Sequence, residues 1–266
     1  MKIAALQISS VGLSPNRLDY YCKAAGKQDV KLLVLPEYIL NAFFLELTKT
    51  PVDMIRQQTK KQMETLKELA LKYELAIVAP IVRVHKKELF KSIAIVRGSK
   101  TTIYDQQILI NYPHWNEEKF FANDIAPLQT PPVMRIEGFK VAVLAGFEIH
   151  FDWFWMELLK KDVDAVVVPS SSTFGSVQRW REILRMHAFC TQCYVLRANR
   201  IGECKDSGGH SWHFYGDSAL IDPNGKILVE LGDKEELLIA TLDKETLKRA
   251  RREWGFRNQL KKRGMV

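Results

Sequence analysis

Short runs of β-branched and aliphatic residues alternate along this chain with longer stretches whose apolar positions recur every three to four residues. The runs 3–8 and 31–35 read as buried strands separated by a helix near 16–27, and 52–73 reads as a long helix with Met63, Leu66, Leu69 and Ala70 at helical spacing. A strand over 75–82 is followed by a hairpin-like pair, 92–97 and 101–104, around Gly98-Ser99. The second half repeats the style without repeating the sequence: strand 139–145, helix 151–161, strand 164–169, helix 178–192, strand 195–200. The runs 218–221 and 226–229 flank Asp222-Pro223-Asn224-Gly225, a turn in which proline fixes φ and Asn and Gly tolerate positive φ. Unbroken apolar runs such as Leu32-Leu33-Val34-Leu35 and Ala165-Val166-Val167-Val168 predict strands covered on both faces. The fold class is α/β. Two sheets sandwiched between helix layers fit the pattern as well as one doubly wound sheet does. No Gly/Ser-rich linker divides the chain, so a single domain over 1–266 is expected, with a basic C-terminal helix and tail over 243–266.

Composition narrows the class. Of 266 residues, 47% are hydrophobic and 26% charged, which is ordinary globular usage and excludes a disordered chain. No uncharged apolar run approaches the roughly 18–20 residues that span a bilayer, and the opening Met1-Lys2-Ile3-Ala4-Ala5-Leu6-Gln7-Ile8 reads as a strand and not as a signal-peptide core. A cytoplasmic protein without membrane association is expected. Cys22, Cys190, Cys193 and Cys204 are too few for a disulfide framework; Cys190 and Cys193 read as small buried hydrophobes on a helix. The net charge is +8, but from Asp243 onward nine Lys or Arg face three Asp or Glu, so +6 of it is local. A nucleic-acid binder spreads its basic face over the fold, so no nucleic-acid partner is expected.

Common catalytic signatures are absent. There is no G-x-G-x-x-G after a strand, no phosphate-binding G-x-x-x-x-G-K-[ST], no G-x-S-x-G and no H-E-x-x-H. His210 and His213 lie in a predicted loop with no evident third ligand, so neither a metal nor a cofactor is expected. Ser170-Ser171-Ser172 follows a buried strand, where α/β sheets often face a ligand crevice; a plain turn is the alternative.

Several landmarks, in order, resemble the nitrilase superfamily of carbon–nitrogen hydrolases. They are Leu35-Pro36-Glu37; the block Trp180, Arg185, Ala188, Gln192, Tyr194 leading into Ala198-Asn199-Arg200-Ile201-Gly202; and Phe214-Tyr215-Gly216-Asp217-Ser218 leading into Asp222-Pro223-Asn224-Gly225. The branch they most resemble is the N-carbamoyl-amine amidohydrolases, β-ureidopropionase-like. The resemblance implies an α-β-β-α sandwich of two mixed sheets between helix layers, and a homodimer or higher oligomer. It implies catalysis by a cysteine that forms a thioester, a glutamate that shuttles the proton, and a lysine that stabilises the oxyanion, with a second glutamate in support.

Carried residue by residue, that pattern places the general base at Glu37 and the supporting acid at Glu117. The lysine position holds Gln106, eleven residues before Glu117, and the nucleophile position after Val141-Ala142-Val143-Leu144-Ala145 holds Gly146. Phe147, Glu148 and Ser171 fall beside these as candidate ligand-binding residues. Glycine forms no thioester, so the expected function is a homologue that has lost amidase activity and serves as a ligand-binding or regulatory pseudoenzyme. A slow hydrolase of amides or N-carbamoyl amines using Glu37 to activate water is the alternative, and an oligomeric interaction protein, with the aromatic segment Phe151-Asp152-Trp153-Phe154-Trp155-Met156 at its interface or in its core, is a third. Glu37, Glu117 and Glu148 are expected to cluster without a balancing lysine, a setting that would attract a small amine; an amide or N-carbamoyl ligand is the other expectation.

Overall fold

In β1 (Lys2–Gln7) the side chains alternate between two faces, as a period of two requires: Ile3 and Ala5 enter one apolar cluster, Ala4 and Leu6 another. The same alternation holds in β2 (Leu32–Val34), where Leu33 parts company with Leu32 and Val34. Between these strands runs α1 (Asn16–Lys27), and after a single-turn α2 (Phe44–Leu47) comes the long α3 (Val52–Lys72). The first sheet is completed by β3 (Ala76–His85), β4 (Glu88–Arg97) and β5 (Lys100–Asp105). Its order is β16-β1-β2-β3-β4-β5, where β16 (Glu236–Thr241) returns from the far end of the chain to pair antiparallel with β1. The computed structural model describes residues 1–206 and 208–265.

A two-residue ladder, β6 (Asn111–Tyr112) with β7 (Trp115–Asn116), bridges to the second sheet. That sheet has the order β15-β14-β11-β10-β9-β8, built from β8 (Val133–Ile136), β9 (Phe139–Val143), β10 (Ala165–Ser170), β11 (Tyr194–Asn199), β14 (Ala219–Ile221) and β15 (Ile227–Glu230). Its crossover helices are α4 (Asp152–Lys160) and α5 (Val177–Thr191). Val141, Val143 and Val167 share a cluster with Ile3, Leu32 and Val34 of the first sheet, while Ala142, Val166 and Val168 join Phe154, Trp155 and Leu184 of α4 and α5. The residues of β1 and β2 that face away from the second sheet pack against Leu18 and Cys22 of α1 and Leu66 and Leu69 of α3. The order of layers is therefore helix, sheet, sheet, helix, and both sheets mix parallel and antiparallel pairs.

Three expectations need correction. His213 lies on a strand, because β12 (Ile201–Lys205) and β13 (Ser211–Tyr215) form a hairpin whose alternating exposed residues read as loop in the sequence. Cys190 is exposed, although Cys193 three residues on is buried. The aromatic segment divides, with Phe154 and Trp155 buried and Trp153 38% exposed.

Part of the basic C-terminus is held within the fold. Asp243 caps α6 (Lys244–Trp254) by accepting from the backbone of Thr246 at 2.8 Å. Lys244 and Arg251 pair with Asp164 at 2.6 and 3.1 Å. In α7 (Phe256–Lys262) the buried Arg257 donates to the carbonyls of Val163 and Thr191 and pairs with Asp162 at 2.6 Å. No helix among the described residues is long and apolar enough to cross a membrane.

Candidate active site

Glu37 stands at the end of β2. Its backbone N–H donates to the carbonyl of Ser170 at 3.3 Å, tying the end of β2 to the end of β10 in the other sheet. Its carboxylate accepts from the Ser171 hydroxyl at 3.0 Å. The next residue, Tyr38, has φ +57°, a left-handed backbone that a bulky side chain rarely adopts. That conformation sends the Tyr38 hydroxyl to Glu117, where it donates at 2.6 Å.

Between the two carboxylates lies a lysine that the sequence reading did not single out. Lys91 on β4 places its Nζ 3.1 Å from Glu37 and 2.8 Å from Glu117. All three groups are buried. Glu117 also accepts from Trp115 Nε1 at 3.2 Å, so donors converge on it from β4, β7 and the strand end that carries Tyr38. Burial pushes the Glu37 carboxyl above its ordinary value, with the charge of Glu117 acting in the same direction and Lys91 opposing both. Burial alone would pull the Lys91 ammonium down, but Glu117 and Glu37 together hold it above the ordinary lysine value.

The expectation of a carboxylate pocket without a lysine is thus overturned. Gln106 is buried at the end of β5 and does not reach the carboxylates: its side-chain amide donates to the Ile108 carbonyl at 2.7 Å. Its backbone N–H donates to the Lys91 carbonyl at 3.0 Å, one step beyond Ser92–Asp105, the last pair of the β4–β5 ladder. The cation arrives from the neighbouring strand. The sequence carried a signal for this: a hairpin around Gly98-Ser99 that pairs Arg97 with Lys100 and Ser92 with Asp105 brings Lys91 opposite Gln106.

Gly146 follows β9 and opens a 3₁₀ turn, Phe147–His150. Its φ and ψ of −50° and −50° are ordinary for any residue, so backbone freedom is not what glycine contributes. Proximity is: a Cβ here would lie 3.1 Å from the Pro169 carbonyl oxygen and 3.1 Å from Ser170 Cβ. Glu148 does not join Glu37 and Glu117, a second correction. Its carboxylate accepts from the Gln107 backbone at 2.6 Å, the Tyr104 hydroxyl at 2.9 Å and the Ala145 backbone at 3.2 Å, and burial pushes its pKa up to about 7. It ties the end of β5 to the end of β9.

Beside this cluster opens a cavity of about 600 Å³, within the usual range for a small-molecule site. Ser171 and Phe147 line it, and through its hydroxyl bond Ser171 links the cavity to Glu37. Ser172, also on the wall, accepts from the buried Arg197 at 2.8 Å and donates its backbone N–H to Asn199 at 2.9 Å. Of the residues singled out from sequence, the structure brings Glu37, Glu117 and Ser171 together, sets Phe147 on the cavity wall and Gly146 at the neighbouring strand end, and keeps Gln106 and Glu148 in other contacts. Two water-excluded carboxylates on one ammonium can hold and move a proton beside a bound carbonyl compound. Among the described residues no cluster of metal-ligating side chains is found.

A model of the carbon–nitrogen hydrolase family matches residues 2–252. An omega-amidase of Saccharomyces cerevisiae is 24% identical over 263 residues, 93% of this chain and 88% of that protein. An N-carbamoylputrescine amidase of Arabidopsis thaliana is 24% identical over 261 residues, 89% of this chain and 84% of that protein. Among solved structures, a carbon–nitrogen hydrolase from Helicobacter pylori superposes with a TM-score of 0.83 at 20% identity, covering 96% of this chain and 94% of the other. An amidase from Nesterenkonia superposes with a TM-score of 0.75 at 22% identity, covering 98% and 96%. These likenesses carry the fold.

Proposed function

The chain belongs to the carbon–nitrogen hydrolase family, and within it we propose a homologue that binds amide or N-carbamoyl-amine ligands without processing them through a thioester. One observation carries this reading: Lys91 bonds both Glu37 and Glu117 in a buried charge set beside a ligand-sized cavity, while the strand end where the family resemblance puts the thiol bears Gly146. Burying two carboxylates and an ammonium is costly, and apolar residues of similar volume often pack as stably. The charge set is therefore read as serving a ligand and not as a packing device. The omega-amidase and N-carbamoylputrescine amidase among the relatives suggest the ligand class. Because Lys91 already neutralises the carboxylates, a small amine is not favoured as the ligand. Cytoplasmic residence and a homodimer belong to the same proposal.

A second reading is slow hydrolysis in which Glu37 takes a proton from water. Lys91 favours it, since a cation is at hand to steady the developing negative charge. Proton NMR separates the two. Simple amides, ω-amides and N-carbamoyl amines are incubated with the protein at high concentration, and both saturation transfer and product formation are followed. Binding without product over days supports the first reading. Product that disappears in Glu37→Gln supports the second. Absence of both binding and product contradicts an amide site altogether.

A further inference from the structure

We infer that Ser171 is a nucleophile: with Glu37 as its base, it takes the acyl group of an activated aryl ester and forms a serine ester. That the cavity admits carbonyl compounds rests on the function proposed above; the nucleophile rests on four separate observations.

The hydroxyl and its base are already in contact. Ser171 Oγ donates to Glu37 Oε2 at 3.0 Å, and Lys91 Nζ holds Glu37 Oε1 at 3.1 Å. A hydroxyl within hydrogen-bond reach of a base, which a third group orients in turn, is the arrangement that activates a serine. Burial holds the Glu37 carboxyl above its ordinary value, which makes it a stronger base than a surface carboxylate.

The contact is also open to a ligand. Ser171 lines the cavity, and neither Glu37 nor Lys91 does, so a bound molecule meets the hydroxyl first. Tyr112, Phe147, Phe174 and Trp180 share the wall, an aromatic setting that suits an aryl group.

The backbone that carries the hydroxyl is fixed on both sides. Ser170 Oγ accepts from Arg197 Nε at 3.1 Å and donates to Asn199 at 2.9 Å, and Ser172 Oγ accepts from Arg197 Nη2 at 2.8 Å. The Ser170 carbonyl accepts from the backbone of Glu37 at 3.3 Å and of Arg200 at 3.2 Å. Of three consecutive serines, only Ser171 turns to Glu37, from the end of β10 and beside the end of its parallel neighbour β9. A reacting atom placed in advance saves part of the entropy of bringing it there.

The charges on the wall select the substrate. In acylation a bond forms from Oγ to the acyl carbon, the hydroxyl proton passes to Glu37 Oε2, and the bond from that carbon to the aryl oxygen breaks. The aryloxide leaves with the electron pair and needs no proton, since even an unactivated phenol has a pKa of roughly 10. Glu37 then releases its proton to solvent. Water attacks the serine ester and gives a proton to Glu37; the bond to Oγ breaks, Oγ takes that proton, and the carboxylic acid departs. An amide nitrogen, by contrast, must be protonated as it leaves. Glu37 has both oxygens committed, and no Asp or Glu lines the cavity to act as a second acid. Amides therefore occupy the cavity without acylating Ser171.

The test follows 4-nitrophenyl acetate and 4-nitrophenyl butyrate by nitrophenolate release, with intact and peptide mass after acid quenching. A rapid release of about one nitrophenolate per chain is expected, then slower turnover, with a hydroxylamine-labile adduct on the peptide bearing Ser171. Ser171→Ala and Glu37→Gln are each expected to slow the rapid phase about 100-fold or more. Ser171→Cys is expected to restore acylation, as a thioester. Cys190→Ser, which removes an exposed thiol, should change nothing. Mapping the adduct on the natural protein requires no variant to fold. Ser171 left unmodified, an adduct confined to Lys91, surface lysines or Cys190, or a rapid phase that survives Ser171→Ala overturns the inference. Benzamide is added in competition, and slower acylation of Ser171 supports both readings. If Ser171 is acylated and no amide protects it, the nucleophile stands and the amide reading fails. If amides bind by saturation transfer and Ser171 is never acylated, the amide reading stands and the nucleophile fails.

Discussion

One step beyond Ser92–Asp105, the last pair of the β4–β5 ladder, the Lys91 carbonyl accepts from the Gln106 backbone at 3.0 Å, and from there the Lys91 ammonium reaches both Glu37 and Glu117. The position is chemically consequential because the two carboxylates belong to different parts of the chain, one after β2 and one after β7. A single cation on β4 holds them together at the centre of the site.

Removing that cation leaves two buried carboxylates with no positive partner. Lys91→Met is expected to cost about 3–5 kcal/mol at pH 7, the usual penalty for breaking a buried pair. The Glu37 carboxyl, which Lys91 now holds down against burial, would then be pushed further upward in the folded state. Stability from such groups is present at low pH and lost as pH rises through the folded value, so the deficit should narrow on acidification. Exchanging the pair, Lys91→Gln with Gln106→Lys, is expected to recover part of the loss. Urea denaturation of the three proteins at pH 5 and pH 7 measures this.

Ser171→Ala deletes the hydroxyl that donates to Glu37 at 3.0 Å. The expected cost is about 1–3 kcal/mol, because a buried carboxylate is left short of a donor. That bond also lowers the Glu37 carboxyl, so its pKa should move further up in the variant. A carboxyl-labelled NMR titration reads the shift, and an unchanged value would dissociate Ser171 from Glu37.

Glu148 gives the fold a pH dependence of its own. Its folded value is about 7 against an ordinary 4.5. Between those values the native state holds a proton that the unfolded chain has released, so stability falls as pH rises from about 4.5 to about 7. At 1.36 kcal/mol per pKa unit the fall is roughly 3 kcal/mol. Glu148→Gln removes the titration, so the stability of the natural protein minus that of the variant should fall over the same pH range.

Gly146→Ala probes why glycine stands after β9. The added Cβ would press on Pro169 O and Ser170 Cβ, each at 3.1 Å. A loss of about 1–3 kcal/mol is expected, as for modest overpacking. A neutral substitution would show that the end of β10 gives way easily.

Much of the fold was legible because its strands are unusually apolar. Leu32-Leu33-Val34 and Ala165-Val166-Val167-Val168 announced strands covered on both faces, and helices 52–73 and 178–192 matched α3 and α5 to within a residue. The β12–β13 hairpin escaped because its alternating exposed residues mimic a loop. In the site, Glu37 and Glu117 could be placed by motif and spacing. Lys91 could not, since residue-by-residue comparison follows one strand at a time while the cation crosses between strands; only the register of the hairpin reveals it. Glu148 was misplaced because spacing along the chain does not say which way a side chain turns after a 3₁₀ bend.

If the Glu37–Lys91–Glu117 set serves the proposed ligand and only a thiol is missing, supplying that thiol should produce acyl transfer. Gly146→Cys supplies it. The natural protein and the variant are incubated with a panel of small amides and hydroxylamine, and both are examined by intact mass and for hydroxamate. No acyl adduct and no hydroxamate are expected from the natural chain, whereas an acyl adduct on the introduced thiol with hydroxamate release is expected from the variant. Hydroxamate from the natural chain at a rate comparable to the variant would contradict it, as would a folded variant that is never acylated.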